Sequence, residues 1–165
     1  MTTAQLVERA ARPYVAIRTE VKPQELSQAI DGAFPRLFGW LAQKGQQPVG
    51  APFVKYNVID MERALQLELG APISAPFQTD AASDVQAGTL PAGRYAVSIY
   101  QGHFSGLREA NAALLRSAST LGVQWDTTPT PQGERFAARL ETYLTDPSKE
   151  PDPTRWQTEL AIKTR

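Results

Sequence analysis

Apolar positions recur along this chain with two periods. From Gln24 to Lys44, residues Leu26, Ile30, Ala33, Phe34, Leu37, Phe38 and Leu41 fall at steps of three and four, which puts them on one face of a helix. Pro23 suits its first turn, and Gly45 suits the left-handed residue that ends it. Pro35 removes one backbone bond inside this stretch, so a kink is expected near Ile30–Phe34. A second stripe, Leu107, Ala110, Leu114, Ala118 and Leu121, predicts another helix, with Ser105 as cap and Gly122 as stop.

Elsewhere the period is two. Val15 and Ile17 alternate within Pro13–Val21, and Val97 and Ile99 within Arg94–Gln101, so both read as strands. Phe53–Ile59 and Ala64–Leu69 read as a pair around a turn at Asp60–Arg63. Glu134–Leu144 and Trp156–Lys163 read as another around a proline-rich loop. Short strands are expected at Gln5–Ala10 and Val85–Leu90, the latter closed into a hairpin by Pro91-Ala92-Gly93.

The resulting order is hairpin, helix, hairpin, twice over, with an offset of about eighty residues. The expected fold is α+β: a duplicated strand–helix–strand unit, two ββαββ halves, in which each antiparallel sheet carries one long helix. The halves run over about 1–71 and 84–165 of a single 1–165 domain. A loop rich in small and polar residues, 72–83, joins them. Two such halves side by side leave a central groove, where ligands usually sit.

Composition narrows the chemistry. The 165 residues carry 17 basic and 17 acidic side chains, so the net charge is zero. Such a balance argues against nonspecific nucleic-acid binding, which relies on clustered cations, and equally against an electrostatic membrane anchor. There is no cysteine and one histidine, His103, which removes disulfides, thiolate metal sites and Cys-His dyads. No metal and no cofactor is expected. Glu8 interrupts what would be the apolar core of a signal peptide, and no apolar run is long enough to span a bilayer, so a cytoplasmic location is expected.

Chemistry then falls to carboxylates and aromatics. In Leu140-Glu141-Thr142-Tyr143-Leu144, alternation puts Glu141 and Tyr143 on one face and Leu140, Thr142 and Leu144 on the other. If that face is covered, the Glu141 carboxylate needs a partner, which a cationic ligand could supply. By pattern alone a strand glutamate is more often solvated and paired with a cation such as Arg139 or Arg94. Trp125, Trp156, Trp40, Tyr56, Tyr143 and Phe104 could box a flat or cationic ligand by stacking and cation–π contact. Trp156 faces the Glu141–Tyr143 strand and is the strongest of these, whereas Trp40, Phe34 and Phe38 read as core or cavity floor. His103 reads as a capping or surface residue, and the acids of Asp146–Asp152 as a solvated loop.

Several segments carry a family resemblance. They are Tyr14-Val15-Ala16-Ile17-Arg18, Phe34-Pro35-Arg36-Leu37 and Pro52-Phe53-Val54-Lys55-Tyr56, then Leu90-Pro91-Ala92-Gly93-Arg94-Tyr95-Ala96-Val97 and Gln101-Gly102-His103-Phe104. Most specific are Glu141-Thr142-Tyr143-Leu144-Thr145-Asp146-Pro147 and Trp156-Gln157-Thr158-Glu159-Leu160. In these segments, spaced over nearly the whole chain, it resembles the GyrI-like small-molecule-binding domain, also met as the effector-binding part of AraC-type and MerR-type multidrug regulators.

The resemblance implies a groove for lipophilic, often cationic, compounds with a glutamate in it, here Glu141, followed by Tyr143 in the family's Glu-x-Tyr pattern. The leading expectation is a stand-alone binding module using Glu141, Tyr143, Trp156, Tyr56, Trp125, Phe104 and Trp40. Some members resemble hydrolases that open cyclopropane-bearing natural products; in that case Glu141 is the general base and Tyr143 a hydrogen-bond donor or acid. Others resemble gyrase-inhibiting proteins, which would make the partner a protein. The last strand ends Ala161-Ile162-Lys163-Thr164 without the family's frequent proline. No helix-turn-helix precedes the first strand, so direct nucleic-acid binding is not expected.

Overall fold

The structure, a computed structural model, describes residues 2–165. Strand β1 (Gln5–Arg9) and strand β2 (Arg12–Val21) lead into helix α1 (Leu26–Gln43), which is followed by β3 (Phe53–Asp60) and β4 (Ala64–Pro72). After a connector come β5 (Val85–Leu90), β6 (Gly93–Gln101), helix α2 (Leu107–Arg116) and the single turn α3 (Ala118–Leu121). The chain ends with β7 (Thr127–Thr130), β8 (Gly133–Phe136), β9 (Arg139–Tyr143) and β10 (Gln157–Lys163). All ten strands join one antiparallel sheet in the order β1-β6-β10-β9-β3-β4-β2-β5, with the β7–β8 hairpin attached beside β3. The fold is therefore α+β, as the periodicities predict.

The expected hairpins at the two sheet edges do not form. β1 pairs with β6 rather than β2, and β5 pairs with β2 rather than β6. Alternation tells which face a side chain occupies but not which strand lies next to it. The eight-strand order reads the same from both ends once β1 is matched with β5, β6 with β2, β10 with β4 and β9 with β3. The expected strand Glu134–Leu144 is broken at Ala137–Ala138 into β8 and β9.

The helices cover one face of the sheet. Ala33, Leu37 and Leu41 of α1 pack on Val15, Ile17, Val54, Leu65, Leu67 and Leu69. Each such leucine contributes about 1.5–3 kcal/mol by leaving water. α1 runs unbroken through Pro35, whose missing N–H deprives the Asp31 carbonyl of its in-helix donor. Leu107, Ala110 and Leu114 of α2 pack on Ala96, Leu160 and Ile162. The second helix is shorter than its stripe predicts. The Ser117 hydroxyl donates to the Leu114 carbonyl, and the helix restarts as α3 before Gly122 ends it in the left-handed conformation. The turn before α2 is capped by His103 instead of Ser105: the Ser105 N–H donates to His103 Nδ1 at 3.0 Å.

Among the described residues no helix covers the other face. It closes with aromatic rings laid over bare backbone. A Cβ on Gly88 would sit 2.6 Å from the Tyr14 hydroxyl, and one on Gly70 would sit 2.9 Å from the Phe53 ring. Tyr14 and Phe53 meet edge to face at 5.5 Å and bury Ala16, Leu90 and Leu140 with them.

Candidate functional site

Strand β9 lies in the middle of the sheet, between β10 and β3, on the face that carries the helices. Pleating aims Arg139, Glu141 and Tyr143 at that face, while Leu140 joins the opposite one. Glu141 is 6% exposed. An ionised carboxylate so placed needs donors on both oxygens. Tyr143 Oη donates to Glu141 Oε1 at 2.9 Å, and Asn111 Nδ2 donates to Oε2 at 2.9 Å. Asn111 is set by its own helix, because the same nitrogen also donates to the Leu107 carbonyl at 2.9 Å. α2 thus lays an amide directly onto the carboxylate.

The charge on Glu141 is felt by its neighbours. Burial first, and the facing carboxylate second, push the Tyr143 and Tyr56 hydroxyls well above the ordinary tyrosine range, so both phenols stay neutral donors. Arg139 is also near, and burial pulls its guanidinium below the usual arginine range despite Tyr56 and Glu141. The guanidinium lies over the Phe136 ring at 4.8 Å and the Tyr56 ring at 6.0 Å, and its Nε has no hydrogen-bond partner. Both oxygens of Glu141 are therefore held by neutral donors.

An aromatic row runs from α1 through Tyr143, which holds the carboxylate, to the turn before α2. Phe38 stacks on Phe34 at 6.1 Å, and Phe34 meets Tyr143 edge-on at 6.3 Å. Tyr143 meets Phe104 at 5.6 Å, Phe104 meets Trp156 at 4.8 Å, and Trp156 stacks on His103 at 5.8 Å. Phe38 and Phe104 are 37% and 36% exposed, so the row reaches solvent on both sides of the buried acid. Trp156 is anchored by its indole N–H, which donates to the Glu150 carbonyl at 2.8 Å.

Of the residues expected at the site, Glu141, Tyr143, Tyr56, Phe104 and Trp156 come together. Trp40 and Trp125 do not. Trp40 packs against Phe77 at 5.8 Å and, with Lys44, lines a separate cavity of about 390 Å³. Trp125 packs against the α2 core and forms a bridge with Thr164. Asn111 and Phe34 belong with the group, and Arg139 joins as a neighbour rather than as an ion-pair partner. Asn111 carries no sequence signal beyond being a polar residue on a helix; Phe34 stands in the helix stripe that reads as core or cavity floor. Among the described residues no group of three or more His, Asp or Glu side chains is arranged to hold a metal, and no helix is long and apolar enough to cross a membrane.

The sequence profile of the GyrI-like small molecule binding domain matches residues 2–165. The chain belongs to the GyrI-like family. None of the curated protein sequences matches it. Among solved structures it is similar to the EcmrR C-terminal domain, at 15% identity and a TM-score of 0.72, covering 99% of this chain and 97% of that one. It spans 57% of the EcmrR chain in an EcmrR–DNA complex, at 18% identity and a TM-score of 0.76, again with 99% of this chain covered. SAV2435 bound to tetraphenylphosphonium matches at 13% identity and a TM-score of 0.60, covering 99% and 94% of the two chains. A hydrolase from Listeria innocua matches at 13% identity and a TM-score of 0.61, covering 98% and 91%. At such identities the likeness establishes the GyrI-like fold and not a shared ligand or reaction.

Proposed function

We propose that this GyrI-like domain binds lipophilic organic cations, with Glu141 as the countercharge and Tyr143, Phe104, Trp156, Tyr56 and Phe34 as the walls. The observation that carries this reading is a buried carboxylate held only by neutral hydrogen bonds beneath an aromatic row open to solvent. A carboxylate already paired with cations has its charge offset, whereas one held by a phenol and an amide has no cationic partner of its own. A ligand entering beside the exposed Phe104 ring stacks on the row and replaces the Asn111 amide with its own charge. The tetraphenylphosphonium-bound neighbour lends the fold such a ligand class. The palindromic strand order also supports reading the chain as two duplicated halves joined near 72–83, with the site at their junction between β9 and β3.

Tetraphenylphosphonium and the neutral triphenylphosphine oxide form the test pair, followed by Trp fluorescence. Glu141→Gln is expected to weaken the cation at least about tenfold, with the neutral compound affected far less. Equal weakening of both would remove the electrostatic role of Glu141.

A second reading rests on the 2.9 Å hydrogen bond between Tyr143 and Glu141. A carboxylate that accepts from a phenol is a base beside an acid, the pair needed to activate water against a strained ring. Incubation with a cyclopropane-bearing electrophile tests it. Turnover no faster than background, or unchanged in Glu141→Gln, rejects it.

A further inference from the structure

The face turned away from the helices holds a second buried carboxylate. Glu68 of β4 is 3% exposed, and its donors are of a different kind from those of Glu141. Lys55 Nζ lies 3.3 Å from Oε2, which also accepts from Asn57 Nδ2 at 2.8 Å. Oε1 accepts from the Tyr14 hydroxyl at 2.8 Å and has Arg18 Nε at 3.5 Å. Lys55 also donates to Asn57 Oδ1 and is itself only 9% exposed. Replacing a buried ion pair by apolar side chains is commonly neutral or stabilising, so stability alone is a weak reason to keep one.

These groups form the floor of an open cavity of about 610 Å³. Arg18, Lys55 and Arg135 bring three positive charges to it, and Glu20 and Glu68 bring two negative ones, leaving a surplus of one positive charge. Donors remain free on all three cations. The Lys55 ammonium has three N–H groups and uses two, on Asn57 and Glu68. Arg18 turns only its Nε toward Glu68, and its side chain is 67% exposed. Arg135 makes no ion pair among the described residues and projects from β8 toward the same space. Glu68 is saturated, so it serves to hold Lys55 and Arg18 near each other against their mutual repulsion. Gly88 makes the arrangement possible: its bare backbone lets the Tyr14 phenol lie flat and reach Glu68.

We infer that this face is a second binding site, for the oxyanion of a small organic acid or phosphate, gripped by Lys55, Arg18 and Arg135 beside Glu68. It stands on the sheet face opposite Glu141 and does not depend on what Glu141 binds. The aliphatic stem of the exposed Arg18 side chain gives the organic part of such an anion a surface to lie on.

The test is a titration of the isotope-labelled full chain with inorganic phosphate and, separately, benzoate, at constant ionic strength held by chloride. Saturable amide shifts are expected at Arg18, Lys55 and Arg135 with one anion or both, while Glu141 and Tyr143 stay still. Phosphate alone identifies a phosphate site, and benzoate alone a carboxylate site. The double substitution Arg18→Ala with Arg135→Ala, at exposed side chains, is expected to raise the apparent Kd at least about tenfold. Lys55→Met is expected to abolish saturation, and the double variant keeps the test valid if Lys55→Met fails to fold. Shifts that rise linearly, that chloride reproduces, or that survive the double variant unchanged overturn the proposal.

Discussion

Among the described residues, Glu141 and Glu68 are the two buried glutamates of this sheet, and they point to opposite faces. Each accepts from a tyrosine hydroxyl and from an asparagine amide, so their hydrogen-bond shells match closely. What differs is the third party. Glu68 has Lys55 at 3.3 Å and Arg18 at 3.5 Å, whereas Arg139 near Glu141 lies over the Tyr56 and Phe136 rings. Burial alone would raise the Glu68 carboxyl, but Lys55, Asn57, Tyr14 and Arg18 together hold it below its ordinary 4.5. Burial by itself thus does not show that an acid is available to a ligand; the charge of its partners does.

The comparison breaks most visibly under neutralisation. Glu68→Gln strands Lys55 in a buried place, and the unfolding free energy in urea is expected to fall by about 3 kcal/mol. Glu141→Gln keeps a carbonyl acceptor for Tyr143 and is expected to fall by about 1 kcal/mol or less. Equal losses would mean that both acids are ion-paired. Acid gives the next effect. Because the folded state depresses the Glu68 carboxyl, its contribution is complete above pH 4.5 and is lost as pH falls through the lower folded value. A urea series from pH 6 down to about pH 2 should show this acid limb, and Glu68→Gln should flatten it. Tyr143→Phe removes one of the neutral donors to Glu141 and is expected to cost about 1 kcal/mol, since Asn111 remains. The smallest effect is spectroscopic. Tyr14, Tyr56, Tyr95 and Tyr143 are all raised, chiefly by burial, so phenolate absorbance from them should be missing near pH 10 in the folded chain and appear on alkaline unfolding. Their stabilising share is full below the ordinary value of 10.0 and is lost only as pH rises toward the folded values.

Much of the helix-bearing face was legible from spacing. The stripe through Ala33, Leu37 and Leu41 is the buried one, and the alternation that placed Glu141 with Tyr143 and against Leu140 holds. Strand partners were not legible, because β1 and β5 carry a local pattern that fits any neighbour of the right length. The β7–β8 hairpin was hidden by Thr127-Thr128-Pro129-Thr130, which has neither apolar alternation nor a proline-free run. At the site, a glutamate two residues from a tyrosine could be singled out, but Asn111 could not, since its role comes from where α2 happens to lie. The Glu68 cluster was missed for a similar reason. Lys55, Glu68 and Arg18 come from three strands and become one charged group only after pairing.

The exchanged edges have a mechanical meaning. β1 is clasped by β6, β5 is clasped by β2, and β3 lies along β9. With β8 also paired to β3, a single proteolytic cut in the exposed connector near 80–82 would sever the polypeptide yet leave four antiparallel ladders bridging the cut. The nicked material should run as one particle in native gels and as two fragments in denaturing ones. The connector, in other words, is a tether between pieces that already hold one another.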